Sequence, residues 1–163
     1  MTVDVLREYG LEDMDDSEIR DFLTNEGMGI LGLPTEHAPY LLPISFGFDG
    51  ESRLYFSFFV GGESKKVELS SQADWASFLV YSADSIFFWE SVLLEGTLGR
   101  LPEDEWGEHG DALENAWHLD LFEKAKTAGE LQIYVFEIEE QVGLKSMGLP
   151  PGMEREESSG DPE

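Results

Sequence analysis

Two neighbouring lysines are the residues in this chain best suited to bind an anion. Lys65 and Lys66 form the only adjacent pair of cationic residues, and they follow Gly61-Gly62 and Ser64 at the predicted start of a short helix. Backbone amides at a helix N-terminus, a hydroxyl group and two ammonium groups together suit a phosphate. The same pattern is explained equally well by two solvated lysines on a helix that has no function in binding. The pair nevertheless runs against the charge of the chain as a whole.

That overall charge is strongly negative. The chain has 163 residues, of which 35 are Asp or Glu and 10 are Lys or Arg, so its formal net charge is −25. Self-repulsion of this size is costly in dilute buffer, but salt shortens the Debye length from about 10 Å at 0.1 M to about 3 Å at 1 M. Because the acids are spread along the chain, we expect a cytoplasmic protein of a halophile. The shortage of clustered cations argues against nucleic-acid binding.

The composition also excludes several kinds of site. The chain has no cysteine, which removes disulfides, thiolate metal ligands and thiol nucleophiles. It shows no export signal and no run of about 20 apolar residues, so we expect no membrane association. His109 and His118 are nine residues apart, which does not place two imidazoles on one helical face, and His37 lies in a predicted turn before Pro39. We therefore expect no metal site.

Six segments have the composition of β-strands, being rich in β-branched and aromatic residues and bounded by turn residues. They are Met28–Leu33, Tyr40–Phe48, Arg53–Val60, Ala76–Ser82, Ile86–Arg100 and Gln132–Ile138. Asp49-Gly50 predicts a hairpin turn. The nearly continuous apolar run from Leu54 to Phe59 predicts a strand that is covered on both faces. Mostly short connections favour a mainly β fold, a six-stranded antiparallel barrel with peripheral α-helices.

The helices are predicted at three places. One starts at Asp16 and places Ile19, Phe22 and Leu23 on one face, a second covers 63–69, and a third extends from Pro102 to Ala128. We predict one domain over residues 1–150 and an acidic disordered tail over 151–163. Side chains fill a barrel of this size, so a ligand has to lie outside it or at a subunit boundary.

The order and spacing of four segments carry a resemblance to a known family. These segments are Ala38–Phe46, Leu54–Ser57, Ser64–Leu69 and Trp89–Gly96. Together they resemble the pyridoxamine 5'-phosphate oxidase-like, flavin-binding split-barrel family over about residues 16–145. The resemblance implies a homodimer with FMN bound at the subunit interface.

The resemblance also implies a set of cofactor contacts spread over five segments. In chain order they are Pro43, Ile44, Ser45, Phe56, Ser57, Ser64, Lys65, Lys66, Ser91 and Lys145. The first three are expected along the isoalloxazine ring, and the next two follow on the neighbouring strand. Ser64 and the two lysines are expected at the phosphate. The last two fall where family members often supply flavin contacts.

Departures from the family pattern bear on activity. Glu90-Ser91-Val92-Leu93 stands where the authentic oxidase has Arg-Gln-Val-Arg, and the basic C-terminal substrate motif is missing. A phosphorylated vitamin substrate would lack its cationic clamp, so we do not expect an authentic pyridoxamine phosphate oxidase. Ser57 replaces a frequent histidine or arginine, and Lys145 replaces an arginine. The expectation is a flavin-dependent oxidoreductase of unknown substrate that takes hydride from NAD(P)H.

Three other functions stay open. A deazaflavin-dependent reductase would use the same lysines for its phosphate. A binding module could carry flavin or haem without turnover, and a degenerate scaffold could have an empty pocket. Phe87-Phe88-Trp89 fits either a dimer interface or a wall beside the flavin ring.

Overall fold

A curled antiparallel sheet forms most of the described structure. The computed structural model describes residues 8, 10–59, 65–110 and 131–148. The strands are β1 (Leu11–Met14), β2 (Met28–Leu33), β3 (Tyr40–Ser45), β4 (Gly47–Phe48), β5 (Arg53–Phe59), β6 (Ala76–Ser85), β7 (Phe88–Leu101) and β8 (Leu131–Met147). The helices are α1 (Asp16–Asn25), α2 (Lys65–Gln72) and a 3-10 helix over Glu103–His109.

The strand order closes the sheet into a split barrel. Neighbouring strands run in the order β3-β2-β6-β7-β8-β5-β4, and β1 pairs with the C-terminal half of β8. Only Phe46 separates β3 from β4, so the two ends of this order are one stretch of chain. This confirms the predicted mainly β fold. The count is eight segments instead of six, because the predicted strand Tyr40–Phe48 is divided at Phe46 and because β1 was not predicted.

The other predicted strands are confirmed, with differences at their ends. β2 has the predicted bounds, and β8 continues from Ile138 to Met147. The Asp49-Gly50 turn joins β4 to β5: Oδ1 of Asp49 accepts hydrogen bonds from the backbone N–H groups of Glu51, Ser52 and Arg53. Gly50 has a φ of 85°, which glycine adopts at no steric cost.

The first helix is confirmed together with its buried face. Ile19, Phe22 and Leu23 are buried, and the N-cap is Asp15, whose carboxylate accepts a hydrogen bond from the backbone of Glu18. The described part of the second helix covers Lys65–Gln72 and ends three residues beyond the predicted end. Of the helix predicted from Pro102 to Ala128, the described part is the 3-10 helix, and residues 111–130 lie outside the described ranges. The predicted tail over 151–163 also lies outside them.

The main core fills the barrel interior beneath α1, and the aromatic rings of β5 and β6 lie at its centre. Phe56 contacts Phe78 with ring centroids 4.9 Å apart, and Phe136 contacts both. A second buried cluster, which includes Tyr55 and Trp106, lies on the other side of β5 beneath the 3-10 helix. The prediction that both faces of β5 are covered is therefore confirmed.

Candidate functional site

Five strands present one continuous surface on the side of the sheet that faces away from the main core. Strand pairing arranges its residues in three rows, and we call these residues the outer face. The first row is Pro43, Ile30, Leu79, Leu93 and Val142; the second is Ser45, Met28, Tyr81, Ser91 and Leu144; the third is Leu41, Gly32, Ser77, Glu95 and Glu140. The step from Met28 to Tyr81 extends the β2–β6 register by two residues. No lysine, arginine or histidine belongs to these rows.

The outer face is unusually apolar for a solvent-facing surface. Met28 is 60% exposed, Tyr81 and Val142 are each 56% exposed, and Leu93 is 42% exposed. Five strands about 4.8 Å apart and three rows about 7 Å apart give the outer face an area of about 500 Å², of which the first two rows, which are mainly apolar, make up about 340 Å². Contiguous apolar patches of this size mark interaction surfaces.

The three predicted contacts on β3 divide between the two sides of that strand. Pro43 and Ser45 belong to the outer face, whereas Ile44 is buried in the main core. Ile44 is therefore able to offer a ligand only its backbone. The structure thus places two of the three predicted side chains where a ligand on the outer face can reach them.

The two predicted contacts on β5 also point to opposite sides. Phe56 is fully buried in the main core, and Ser57 is on the other side of the strand. Ser57 is 8% exposed, and its Oγ has no hydrogen-bond partner among the described residues. β3 approaches β5, and the β4–β5 register extended by two residues sets Ser45 opposite Ser57. An unpaired buried hydroxyl costs about 1–3 kcal/mol, so this atom suits a donor or acceptor supplied by a ligand.

The predicted phosphate residues follow β5 in the chain. Lys65 and Lys66 are the first described residues of α2, which confirms that the lysine pair is on a helix. Ser64 and residues 60–63 lie outside the described ranges, and so do the two lysine side chains. The phosphate site itself therefore stays a prediction.

Ser91 lies on the outer face, between Tyr81 of β6 and Leu144 of β8. Three strand spacings, or about 14 Å, separate it from Ser45. A small ligand at Ser45 and Ser57 of one protomer therefore does not reach Ser91 of the same protomer. A site for so small a ligand that used all three would have to combine residues from two protomers.

Lys145 lies on the opposite side of the sheet, where α1 crosses β8. Its Nζ donates a hydrogen bond to Oε2 of Glu18 and lies 3.9 Å from Oε2 of Glu12. The hydrogen bond to Glu18, with attraction from both carboxylates and from Glu90, raises the pKa of Lys145 above its ordinary value. Nearby, Gln141 donates to Asp16 at the start of α1. Lys145 thus ties α1 to β8 in this structure, and a contact with flavin stays a prediction.

A tyrosine–histidine pair holds the 3-10 helix against the barrel. The Tyr55 hydroxyl and Nδ1 of His109 are 2.8 Å apart, and Nε1 of Trp106 donates to the carbonyl of Leu101 at 3.1 Å. Burial raises the pKa of the Tyr55 phenol above its ordinary value, against a hydrogen bond from Arg53. This pairing gives His109 a packing role, and His118 lies outside the described ranges.

An open cavity of about 720 Å³ lies between the β2–β3 loop and the end of α2. Its lining includes His37, Tyr40 and Leu69, but none of the residues that the family resemblance implies. The cavity is therefore distinct from Pro43, Ser45, Ser57 and Ser91. Within the described ranges, no three His, Asp or Glu side chains are grouped to hold a metal ion, and no helix has the length and hydropathy to cross a membrane.

A family model described as pyridoxamine 5'-phosphate oxidase matches residues 15–144, which is most of the chain. The chain belongs to the pyridoxamine 5'-phosphate oxidase family. The match confirms the family that the four sequence segments suggested. No curated protein matches the chain in sequence.

Solved structures share this fold at low sequence identity. A FAD-binding protein from Mesorhizobium loti is 20% identical with a TM-score of 0.69, and the alignment covers 84% of this chain and 99% of that one. A FAD and haem binding protein from Mycobacterium smegmatis is 18% identical with a TM-score of 0.67, covering 86% and 75%. The flavocytochrome Anf3 from Azotobacter vinelandii is 17% identical with a TM-score of 0.64, covering 91% and 74%. These likenesses establish the fold.

Sequence reasoning missed most of the outer face. The signal was available, because Phe78–Tyr81 and Val92–Leu94 are continuous apolar runs like the one in β5. Such runs predict burial on both faces, yet Leu93 and Tyr81 are exposed in the single chain. Because the apolar sequence pattern predicts burial and the side chains are exposed in the single chain, this face is a candidate for contact with another molecule.

Proposed function

We propose that this protein is a homodimeric flavoprotein that binds FMN beside Ser57, at the boundary between two outer faces. The observation that carries the proposal is the buried Ser57 Oγ, which has no partner among the described residues. It lies on the outer side of β5, opposite Ser45 in the extended β4–β5 register, where it would meet the polar edge of a flavin ring. The solved relatives named for FAD binding support a flavin, and FMN is the form we propose.

The chain's own residues would divide the work of binding. The hydroxyl groups of Ser57 and Ser45 would hydrogen-bond the ring system, and Pro43 would offer an apolar contact. Ser64, Lys65 and Lys66 would hold the phosphate at the start of α2. Ser91 lies three strands away from Ser45 on the outer face. In the dimer it would therefore contact the ligand that is bound at β3 of the partner subunit. The chemistry that FMN supplies when bound is transfer of hydride or electrons between NAD(P)H and a small acceptor.

A flavin carrier without turnover is the second candidate. The side chains proposed at the ring are those of one proline and two serines, none of which titrates near neutral pH. Such a site orients a cofactor but contributes no acid or base from the described residues. A deazaflavin in place of FMN would make the same contacts. The charge of −25 supports the cytoplasm of a halophile as the location in either case.

Titration with FMN in about 1 M salt tests the proposal. We expect a yellow complex with one FMN per chain and a higher melting temperature, because a ligand present at 100 times its Kd adds about 2.7 kcal/mol of stability. Oxidation of NADH or NADPH by that complex indicates the oxidoreductase, whereas tight binding without oxidation indicates the carrier. Colourless protein whose melting temperature does not respond to FMN would refute both.

A further inference from the structure

Two glutamates occupy directly opposite positions on adjacent strands of the outer face. Glu95 of β7 and Glu140 of β8 are cross-strand partners at the β-bulge that shifts the β7–β8 register. Like charges in directly opposite positions repel and destabilise a sheet. Neither side chain has an ion pair or hydrogen bond among the described residues. The pair lies two residues along the strands from Leu93 and Val142, at the edge of the apolar rows.

A second copy of this chain is the cover that the outer face requires under the proposed function. The outer face, with an area of about 500 Å², is smaller than the roughly 800 Å² that each partner contributes to a standard interface, so neighbouring surface has to be part of the interface too. A two-fold axis would set the same face against itself. The three rows contain no cation, so no residue of the outer face itself can neutralise Glu95 and Glu140 when two such faces meet.

We propose that ionic strength controls this pairing and that Glu95 and Glu140 set the salt concentration it requires. The inference rests on the homodimer of the proposed function. Pairing brings two chains of charge −25 together and moves four unpaired carboxylates towards a low-dielectric boundary. Because the carboxylates lie at the edge of the face, salt ions can reach them. A Debye length of about 3 Å at 1 M is shorter than the strand spacing, so their repulsion is then largely screened.

The effect on the flavin site follows directly. Ser91 lies about 14 Å from Ser45 of its own chain, and in the proposed homodimer it would meet the ligand across the boundary, so the site would be complete only in the pair. At low salt the protein would be a monomer with an open outer face, and at high salt a dimer with a closed one. The salt concentration of the cell would thus regulate occupancy of the site.

Sedimentation equilibrium of the full chain tests this, with the salt raised from about 0.1 M to 3 M as sodium chloride or choline chloride. We expect the dimer Kd to fall at least about tenfold between 0.1 M and 1 M in both salts. The double variant Glu95→Gln/Glu140→Gln should bind about tenfold tighter than wild type at 0.1 M and equally at 3 M. The control Glu36→Gln/Glu51→Gln removes two charges from exposed loops and should change Kd less than about threefold.

Circular dichroism at each salt concentration restricts the comparison to folded protein. Equal shifts in the double variant and the control would overturn the inference, and so would a response to sodium without a response to choline. FMN absorbance of the same samples separates this inference from the proposed function. A salt-dependent dimer that binds no FMN refutes the flavoprotein and supports the inference. A dimer that binds FMN but whose Kd does not change with salt supports the flavoprotein and refutes the inference.

Discussion

Replacing Ser57 by alanine should change stability and flavin affinity in opposite directions. In the protein without ligand, the Oγ of Ser57 is buried and has no partner among the described residues, so its removal relieves part of a desolvation cost of about 1–3 kcal/mol. We expect the free energy of unfolding to rise by about 1 kcal/mol, which for a chain of this size raises the melting temperature by about 2–4 °C. The flavin complex loses a hydrogen bond of about 0.5–1.5 kcal/mol, which weakens FMN binding about 2- to 12-fold.

Ser70 provides a matched control. It is a buried serine on α2 whose Oγ also has no partner among the described residues. Ser70→Ala should raise stability by a similar amount and leave FMN affinity unchanged. Calorimetry of both variants without FMN and fluorescence titration with FMN give the two quantities. Loss of stability in Ser57→Ala with unchanged FMN affinity would show that the hydroxyl has a structural partner, and the reasoning would fail.

Two further substitutions test the sheet and the attachment of α1. Gly96→Ala should lower the free energy of unfolding in urea by at least about 3 kcal/mol, because the new Cβ would lie 1.8 Å from the carbonyl oxygen of Glu137. The control Gly99→Ala places its Cβ where nothing lies within 4 Å, so its free energy of unfolding should stay within about 0.5 kcal/mol of wild type. Lys145→Met should lose up to about 1 kcal/mol at pH 8. Since pairing with Glu18 raises the folded-state pKa of Lys145 above its ordinary 10.5, that stabilisation is complete below pH 10.5 and should disappear as the pH rises further, which urea unfolding from pH 8 to above 11 measures. A constant difference over that range would contradict the ion pair.

The sequence predicts strands well where alternation or apolar composition is continuous, and poorly where tertiary pairing decides. β2 and β5 were found from their own residues. β1, with the sequence Leu-Glu-Asp-Met, has no β-branched residue and becomes a strand through its pairing with β8. In β8, the bulge at Glu139 moves the inward positions from even to odd numbers, so alternation fails after Ile138 although the strand continues.

The candidate site was likewise predictable only in part. The resemblance named Pro43, Ser45 and Ser57 as contacts, and the structure places all three on the outer side of their strands. Lys145 depends on α1, a distant element in the chain, and a single-sequence pattern carries no signal that Glu18 would occupy its ammonium group. Periodicity along one strand likewise cannot show that Glu95 and Glu140 oppose each other, because their alignment needs the β7–β8 register.

β8 has a consequence for how the chain acquires its structure during synthesis. It pairs with β1, β5 and β7, which lie up to more than a hundred residues before it. A ribosome releases all of those strands first, leaving their hydrogen-bonding edges unsatisfied until β8 emerges. Such long-range pairing makes folding slow. A nascent chain stalled before Leu131 would thus be prone to aggregate, and the abundant negative charge of the chain would keep such incomplete products apart.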